Sequence, residues 1–289
     1  MKVLGIDIGG TKIRFGIVDE SYTVHLDTKV PTSFPLYDTL EKEVLTLLEK
    51  HPEIERIGIG THGFVDSKRG RVVYATDLLP GWSNTEVKAQ LELSTNRRVE
   101  VDNDANVAAL AEAKLGAARS SERTVCLTLG TGLGGGIILD DYVVSGGPNG
   151  GAAEIGHTIL YPHGHPCPCG HNGCAEQYVS GTALKRRIDE AGLPYTPVTL
   201  FEHMKDDPKA ETLVQAFTSD LAVVISSLQA IFDMDTVVIG GGVSESADRW
   251  FDYLHAELEQ HLLNPIHVTT AQYENDAGML GAASLVLDG

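Results

Sequence analysis

Short apolar runs broken by glycine or acidic turns fill the first sixty positions. Val3 to Ile8 is one such run and predicts a buried strand. Asp7-Ile8-Gly9-Gly10-Thr11-Lys12 breaks it with two glycines, and Ile13 to Val18 resumes it. Two strands around a short glycine turn predict a hairpin. Val24 to Val30 predicts a third strand. Leu36, Leu40, Val44, Leu47 and Leu48 follow at spacings of four, four, three and one, the pattern of an amphipathic helix. Ile54 to Gly60 predicts the next strand. Ser83-Asn84 is expected to cap a helix running toward Leu93. Val99 to Val101 is a short strand, and Asp104 opens an alanine-rich helix reaching about Leu115.

The opening pattern then returns. Val125 to Leu129 is a strand, Gly130-Thr131-Gly132-Leu133-Gly134-Gly135-Gly136 a glycine turn, and Ile137 to Leu139 a second strand. Asp140-Asp141 closes it, as Asp19-Glu20 closes the first. The shared plan predicts an internally duplicated α/β protein with two similar halves. A long helix covers about Lys209 to Phe232, and a buried strand runs from Thr236 to Ile239. Gly240-Gly241-Gly242 and a helix capped by Ser244 come next, then a strand at Ile266 to Thr270 and a last helix at Gly278 to Leu287. A domain boundary fits best near Ala117–Glu122, just ahead of the second copy.

With 289 residues and 42% apolar content, the chain can bury one large or two medium cores. Its 22 Lys and Arg against 40 Asp and Glu give a net charge of −18, which argues against a basic nucleic-acid footprint. No uninterrupted apolar run approaches the roughly 18 residues of a membrane helix. The start, Met1-Lys2 before a short Val-Leu-Gly-Ile stretch, lacks the apolar core of a signal peptide. The cytosol is the expected compartment.

Three glycine turns, each after an apolar strand, are the candidate chemistry. Glycine lets backbone N–H groups approach phosphate closely, because no Cβ intervenes. Gly130-Thr131-Gly132-Leu133-Gly134-Gly135 matches G-x-G-x-x-G, but that fingerprint must open a helix and here a strand follows. No P-loop and no protein-kinase signature is present. Asp102-Asn103-Asp104-Ala105-Asn106 lies between a strand and a helix. It suits helix capping, and equally a catalytic carboxylate on a rigid strand end with an amide beside it for a substrate hydroxyl. Asp7 is either a turn residue or a carboxylate that orders the waters of a nucleotide's Mg²⁺.

Cys126 reads as a small buried hydrophobe. Cys167, Cys169 and Cys174 crowd into eight positions and suggest a metal rather than disulfides. Tetrahedral zinc needs a fourth ligand, for which spacing offers His157, His163, His165 and His171.

Six further segments complete a set. They are Asn103-Asp104-Ala105-Asn106, Leu129 to Gly136, Glu154-Ile155-Gly156-His157, Cys167-x-Cys169-Gly170-x-x-Gly173-Cys174-Ala175-Glu176, Val238-Ile239-Gly240-Gly241-Gly242, and Asp276-Ala277-Gly278. With Asp7 to Lys12 and in this order, they resemble the ROK family of sugar kinases and repressors over nearly the full length. The resemblance implies a duplicated, ribonuclease H-like α/β fold of the actin-like ATPase class, with ATP and sugar in a cleft between two domains. The domains would be a smaller one at 1–118 plus 277–289 and a larger one at 119–276 with a zinc-binding loop. Asp104 would be the general base. Gly63, Asn103, Glu154, His157 and Glu176 would bind sugar hydroxyls, and His157 would complete the zinc site of Cys167, Cys169 and Cys174. Gly5, Asp7, Gly9, Gly10, Thr11 and Lys12, together with Gly130, Thr131, Gly132, Gly134 and Gly135, would serve the nucleotide's phosphates, and Gly240-Gly241-Gly242 its adenosine. The implied cofactors are ATP, Mg²⁺ and structural Zn²⁺. The implied assembly is a homodimer without nucleic acid or membrane.

The activity implied is ATP-dependent phosphorylation of a hexose hydroxyl at C6, with glucose first. N-acetylglucosamine, N-acetylmannosamine and fructose are alternatives. A non-catalytic sugar sensor or repressor is the alternative of another class. Repressors of the family carry an extra N-terminal DNA-binding domain, and here the first glycine turn begins at Asp7. One segment departs from the family. Where relatives often have Gly-x-Pro-Gly-x-Val-Asp, this chain has Gly60-Thr61-His62-Gly63-Phe64-Val65-Asp66. His62 in place of Pro is expected to be a local packing substitution.

Overall fold

The computed structural model describes residues 1–287. Positions 288 and 289, the end of the expected smaller domain, lie outside the described residues. The first sheet is built from β1 (Lys2–Ile8), β2 (Lys12–Asp19), β3 (Val24–Pro31), β4 (Ile54–Thr61) and β7 (Arg98–Asn103) in the order β3-β2-β1-β4-β7. β1, β2 and β3 pair antiparallel, and β4 and β7 join parallel. Antiparallel neighbours need only tight turns, whereas a parallel step needs a crossover. Helix α1 (Leu36–Lys50) lies in the crossover ahead of β4, and α2 (Val87–Thr95) in the one ahead of β7. A small hairpin of β5 (Phe64–Asp66) and β6 (Arg71–Tyr74) lies in the second connection.

Helix α3 (Asp104–Lys114) follows β7 directly, and α8 (Ala277–Leu287) returns to the same unit. α8 is apolar almost all round, as a helix covered on both sides must be. Glycines make that possible. A Cβ on Gly58 would stand 1.8 Å from the Ala282 carbonyl oxygen, and one on Gly281 would stand 1.7 Å from that of Val107. The backbone of α8 therefore approaches β4 on one side and α3 on the other.

The second sheet repeats the plan. β8 (Arg123–Leu129), β9 (Leu133–Leu139), β10 (Tyr142–Val143), β11 (Thr236–Gly240) and β12 (His267–Thr270) run in the order β10-β9-β8-β11-β12. β9 and β10 pair antiparallel, and β8, β11 and β12 are parallel. Each sheet is thus a meander joined to two parallel strands, which is the duplication the two glycine-turn hairpins predicted. The connection from β10 to β11 carries α4 (Gly181–Glu190), α5 (Pro197–His203) and α6 (Pro208–Phe232), and α7 (Ala247–His261) precedes β12.

The chain divides into two compact units. Among the described residues the first comprises 1–119, 136–153 and 273–287, and the second 120–135 and 154–272. By length and composition α6, with a stretch of mean hydropathy 1.3, is able to cross a membrane. However, 56% of that stretch is buried in the chain. Its buried Asp220 pairs with Arg187 of α4 and accepts a hydrogen bond from the Tyr161 hydroxyl at 2.6 Å. It is a core helix of the second unit.

Two expected caps are not caps. α2 begins at Val87 after Glu86. Ser83 Oγ instead accepts the Ala75 N–H at 2.9 Å, and Asn84 is a left-handed turn residue with φ of 63°. Ser244 lies inside a 3₁₀ turn over Gly242–Ser246, where its hydroxyl donates to the Gly241 carbonyl at 2.7 Å. α7 starts three residues later, at Ala247.

Candidate active site

In the first unit the β1–β2 turn is short and firmly tied. Gly9 N–H donates to the Lys12 carbonyl at 3.0 Å, and the Thr32 hydroxyl donates to the Gly9 carbonyl at 2.7 Å. Gly10 has no room for a side chain, since a Cβ would stand 2.6 Å from Leu78 Cγ. Gly5, grouped with this turn by sequence, lies elsewhere. It is buried in mid-strand, where a Cβ would meet the Met279 carbonyl oxygen at 2.4 Å, so its small size serves α8 packing.

Asp7 sits at the end of β1 against Gly278, whose Cβ would fall 2.8–3.0 Å from the Asp7 carboxyl. Burial, helped by the negative charge of Asp104, pushes the Asp7 carboxyl up to about 6 against the pull of Arg14 and Lys12. Arg14 has other partners. Its Nε and Nη2 donate to Asp27 at 2.8 and 2.7 Å, and its Nη1 meets Asp276 at 2.6 Å. An acid whose folded pKa is raised disfavours folding once ionised. The cost is absent below the unfolded value of 3.8 and complete above about 6, and it amounts to about 3 kcal/mol. Asp7→Asn is therefore expected to raise Tm by several degrees at pH 7.5 and by much less at pH 4.5, as calorimetry at the two pH values would read.

Asp104 stands where β7 becomes α3. Asn103 is the cap, its Oδ1 accepting the N–H groups of Ala105 at 2.8 Å and Asn106 at 3.3 Å. Asn103 Nδ2 donates to the Gly63 carbonyl at 3.0 Å. Gly63 has φ of +115°, and a Cβ there would stand 2.4 Å from the Tyr74 carbonyl oxygen. Beneath the turn, buried Asp102 accepts from Asn103 N–H at 2.7 Å and Asn106 Nδ2 at 2.9 Å, and burial pushes its carboxyl up to about 6. Asp104 differs from both neighbours. Its Oδ1 accepts the Ala105 N–H at 2.9 Å, yet its side chain is 42% exposed. Capping falls to Asn103, which leaves Asp104 available for chemistry.

In the second unit the turn after β8 is closed by Gly130 N–H donating to the Gly132 carbonyl at 3.0 Å. Glu176 Oε2 accepts the Leu133 N–H at 3.1 Å, and a Cβ on Gly132 would stand 2.2 Å from that oxygen. Gly130 and Thr131 open onto a cavity of about 530 Å³. Gly181 and Thr182 at the start of α4, Val198 and Phe201 of α5, and Gly242 and Val243 complete much of its wall. One side is thus glycine and threonine turn and the other carries apolar side chains, a combination that suits a nucleoside phosphate. Gly135 and Gly240 pack instead. A Cβ on Gly135 would meet Ile155 Cδ1 at 2.5 Å, and one on Gly240 would meet Ala271 Cβ at 3.1 Å. Gly134 lies in β9, and Gly241, with φ of +86°, has Leu129 backbone within 2.6 Å of where a Cβ would be. α4 and α5 lie outside the elements that the apolar pattern predicts. Their signals were capping residues, Ser180 for α4 and Thr196-Pro197 for α5.

His157, Cys167, Cys169 and Cys174 converge in the same unit, their ligand atoms all within 4.8 Å of one another. Cys167 Sγ is 3.7 Å from His157 Nδ1, and Cys169 Sγ is 3.5 Å from Cys174 Sγ. Tetrahedral zinc with its usual bond lengths separates its ligands by about 3.6–3.8 Å. Left-handed Gly170 and Gly173 fold the loop back on itself. Cys167 N–H donates to the His171 carbonyl at 2.8 Å, and Gly173 N–H to that of His165 at 2.8 Å. Burial pushes the Cys174 thiol up to about 12, while the His171 N–H draws exposed Cys169 down to about 6. A divalent cation holds such thiols as thiolates despite burial. Among the remaining histidines, His165 packs on the Tyr178 ring at 5.4 Å and His163 is exposed. Glu154 directly precedes the 3₁₀ turn that carries His157, whose N–H donates to its carbonyl at 3.0 Å.

The ROK family profile matches residues 3–289. The chain belongs to the ROK family. A glucokinase of Streptomyces coelicolor is 34% identical to this ROK chain, over 98% of the chain and 96% of the relative. An N-acetyl-D-glucosamine kinase of Yersinia pseudotuberculosis is 33% identical over 98% of each. The crystal structure of a ROK family glucokinase from Streptomyces griseus, in complex with glucose and AMPPNP, is 33% identical with a TM-score of 0.78 and full coverage of both chains. The duplicated sheets are accordingly the actin-like ATPase fold of ROK proteins.

Proposed function

We propose that this ROK protein is an ATP-dependent hexose kinase that phosphorylates glucose at its C6 hydroxyl. The observation that carries the reading is Asp104, a carboxylate on a rigid strand end, relieved of capping by Asn103 and open to solvent. Asp104 takes the proton of the sugar hydroxyl as that oxygen attacks the γ-phosphorus in line. The transition state is loose, so positioning matters more than base strength. Asn103 and the Gly63 turn it holds orient the hydroxyls beside Asp104. Glu154, His157 and Glu176 are the remaining sugar-binding groups of this reading. In this reading the turn over Gly9 to Lys12 and the turn over Gly130 to Gly132 serve the nucleotide's phosphates, which their small residues let approach the backbone closely. Val198, Phe201 and Val243 offer an apolar wall for the base of the nucleotide.

Mg²⁺, when bound with the nucleotide, neutralises phosphate charge, and Asp7 is the carboxylate placed to order its waters. Zn²⁺ fits the His157, Cys167, Cys169 and Cys174 set and would fix the loop and the ring of His157. With Nδ1 turned to the thiolates, His157 keeps Nε2 as a hydrogen-bond donor for a sugar hydroxyl. Three closely spaced thiols suit the reducing cytosol, where we place the protein as a homodimer.

ADP release from MgATP across a sugar panel, ranked by kcat/KM, tests the assignment. Glucose leading by ten-fold or more is the expected result. The second reading, N-acetylglucosamine, is favoured by the 33% identical relative with that activity and would show as reversed ranking. Silence with every sugar would overturn the kinase assignment.

A further inference from the structure

His62, expected from sequence to be a packing substitution, instead faces Asp104. Its Nδ1 lies 3.8 Å from Asp104 Oδ2 and its Nε2 lies 3.1 Å from Thr76 Oγ1. The backbone holds it there. Asn103, the residue before Asp104, donates to the carbonyl of Gly63, the residue after His62. On the other side Trp82 Nε1, itself buried, donates to Thr61 Oγ1 at 2.9 Å. Both flanks of His62 are therefore fixed, while its ring is 35% exposed.

We propose that His62 is the positioning and proton-exit residue for Asp104. The inference rests on the kinase reading and adds to it a route for the proton. Phosphoryl transfer from ATP to an alcohol releases one proton. The hydroxyl O–H bond breaks and its proton passes to Asp104 Oδ2. The oxygen bonds to the γ-phosphorus as the bond to the ADP oxygen breaks, and that oxygen keeps the electron pair. Neutral His62, with Nε2–H donated to the Thr76 hydroxyl oxygen, turns its Nδ1 lone pair toward Asp104. It takes the proton from Asp104 and, being part-exposed, gives it to water. A small rotation of two part-exposed side chains closes the 3.8 Å separation. Asp104 is then an anion again for the next turnover.

Asp7 interacts with Asp104, Lys12 and Arg14 act on Asp7, and Asp102 lies buried beneath the turn. Below its own titration His62 is an imidazolium paired with Asp104. It then accepts no proton and weakens the base, so kcat falls on the acid side.

The test compares wild type with His62→Gln, His62→Ala and Thr76→Val. Expected for both His62 variants is a roughly ten-fold loss of kcat at pH 7.5, smaller than the 10²–10⁴-fold effect of a direct base. KM for ATP should be unchanged and the acid limb displaced to lower pH. Added imidazole should restore turnover to His62→Ala, and Thr76→Val should lose kcat in the same direction by less. Unchanged kcat in both His62 variants, or a loss without imidazole rescue and with an unmoved acid limb, would overturn the proposal. A second arm needs no turnover. NMR titration of the His62 ring should show its midpoint lower in Asp104→Asn than in wild type, because an anionic neighbour is gone. Identical midpoints would overturn the pairing. A wild type silent with every sugar overturns the kinase reading, and the NMR arm still decides whether His62 serves Asp104.

Discussion

Asp104→Asn is expected to lower kcat by about 10³–10⁴-fold while sugar affinity changes less than three-fold. The substitution keeps the shape of the side chain. An amide oxygen can still accept the Ala105 N–H that Asp104 Oδ1 accepts at 2.9 Å. Asn103 remains the cap of α3, so the helix start is undisturbed. What is lost, on the proposed mechanism, is the carboxylate basicity that takes the hydroxyl proton. Stability should change little, because Asp104 is exposed and is not the cap. The test is a pair of measurements: ADP release under saturating glucose and MgATP, and glucose binding by calorimetry. Turnover within ten-fold of wild type would remove Asp104 from the base role. Loss of turnover together with loss of binding would mean instead that the carboxylate mainly holds the sugar.

Much of this was legible because glycine and aspartate were placed where apolar runs stopped. The β1–β2 and β8–β9 turns could be read from their glycines, since each interrupts a near-continuous apolar run that resumes at once as a second buried strand. The roles of individual glycines could not be read. Gly5, Gly58 and Gly135 are small because a helix or side chain crosses the strand there, a fact of tertiary packing. α4 and α5 are short, of 10 and 7 residues, so neither runs for enough turns to set up a helical apolar period. Yet α5 supplies the apolar wall of the nucleotide-sized cavity. Spacing left four histidines open for the cysteine cluster, and only loop folding brings His157 to it. His62 shows the same limit. Its neighbours in sequence, Gly60, Thr61, Gly63 and Phe64, carry no charge, and its partner Asp104 is 42 positions away.

Removing one thiolate should couple metal, stability and sugar. Cys169 is the informative position because it is exposed, so serine there leaves no cavity in the core. Cys169→Ser is expected to cut zinc from one per chain to well below that by elemental analysis. It should raise KM for glucose roughly 10–100-fold, the usual cost of disturbing groups that orient a site, with a smaller change in kcat. His157 is the link between metal and sugar on the proposed reading. Its Nδ1 lies 3.7 Å from Cys167 Sγ, and in that reading a metal there would set the ring tautomer and leave Nε2–H for the sugar. Without the cluster that ring turns freely, and an ordering cost returns to each binding event. A cation that binds the converged set of the folded chain more tightly than the unfolded chain stabilises the fold by mass action, so chelation of the wild type should lower Tm as well as glucose affinity. His171→Ala is the control. His171 Nδ1 is 3.5 Å from Cys169 Sγ but lies outside the four converging ligands, so zinc should stay at one per chain. Zinc lost from His171→Ala and kept in His157→Ala would exchange the two histidines, and with them the link between metal and sugar would fall.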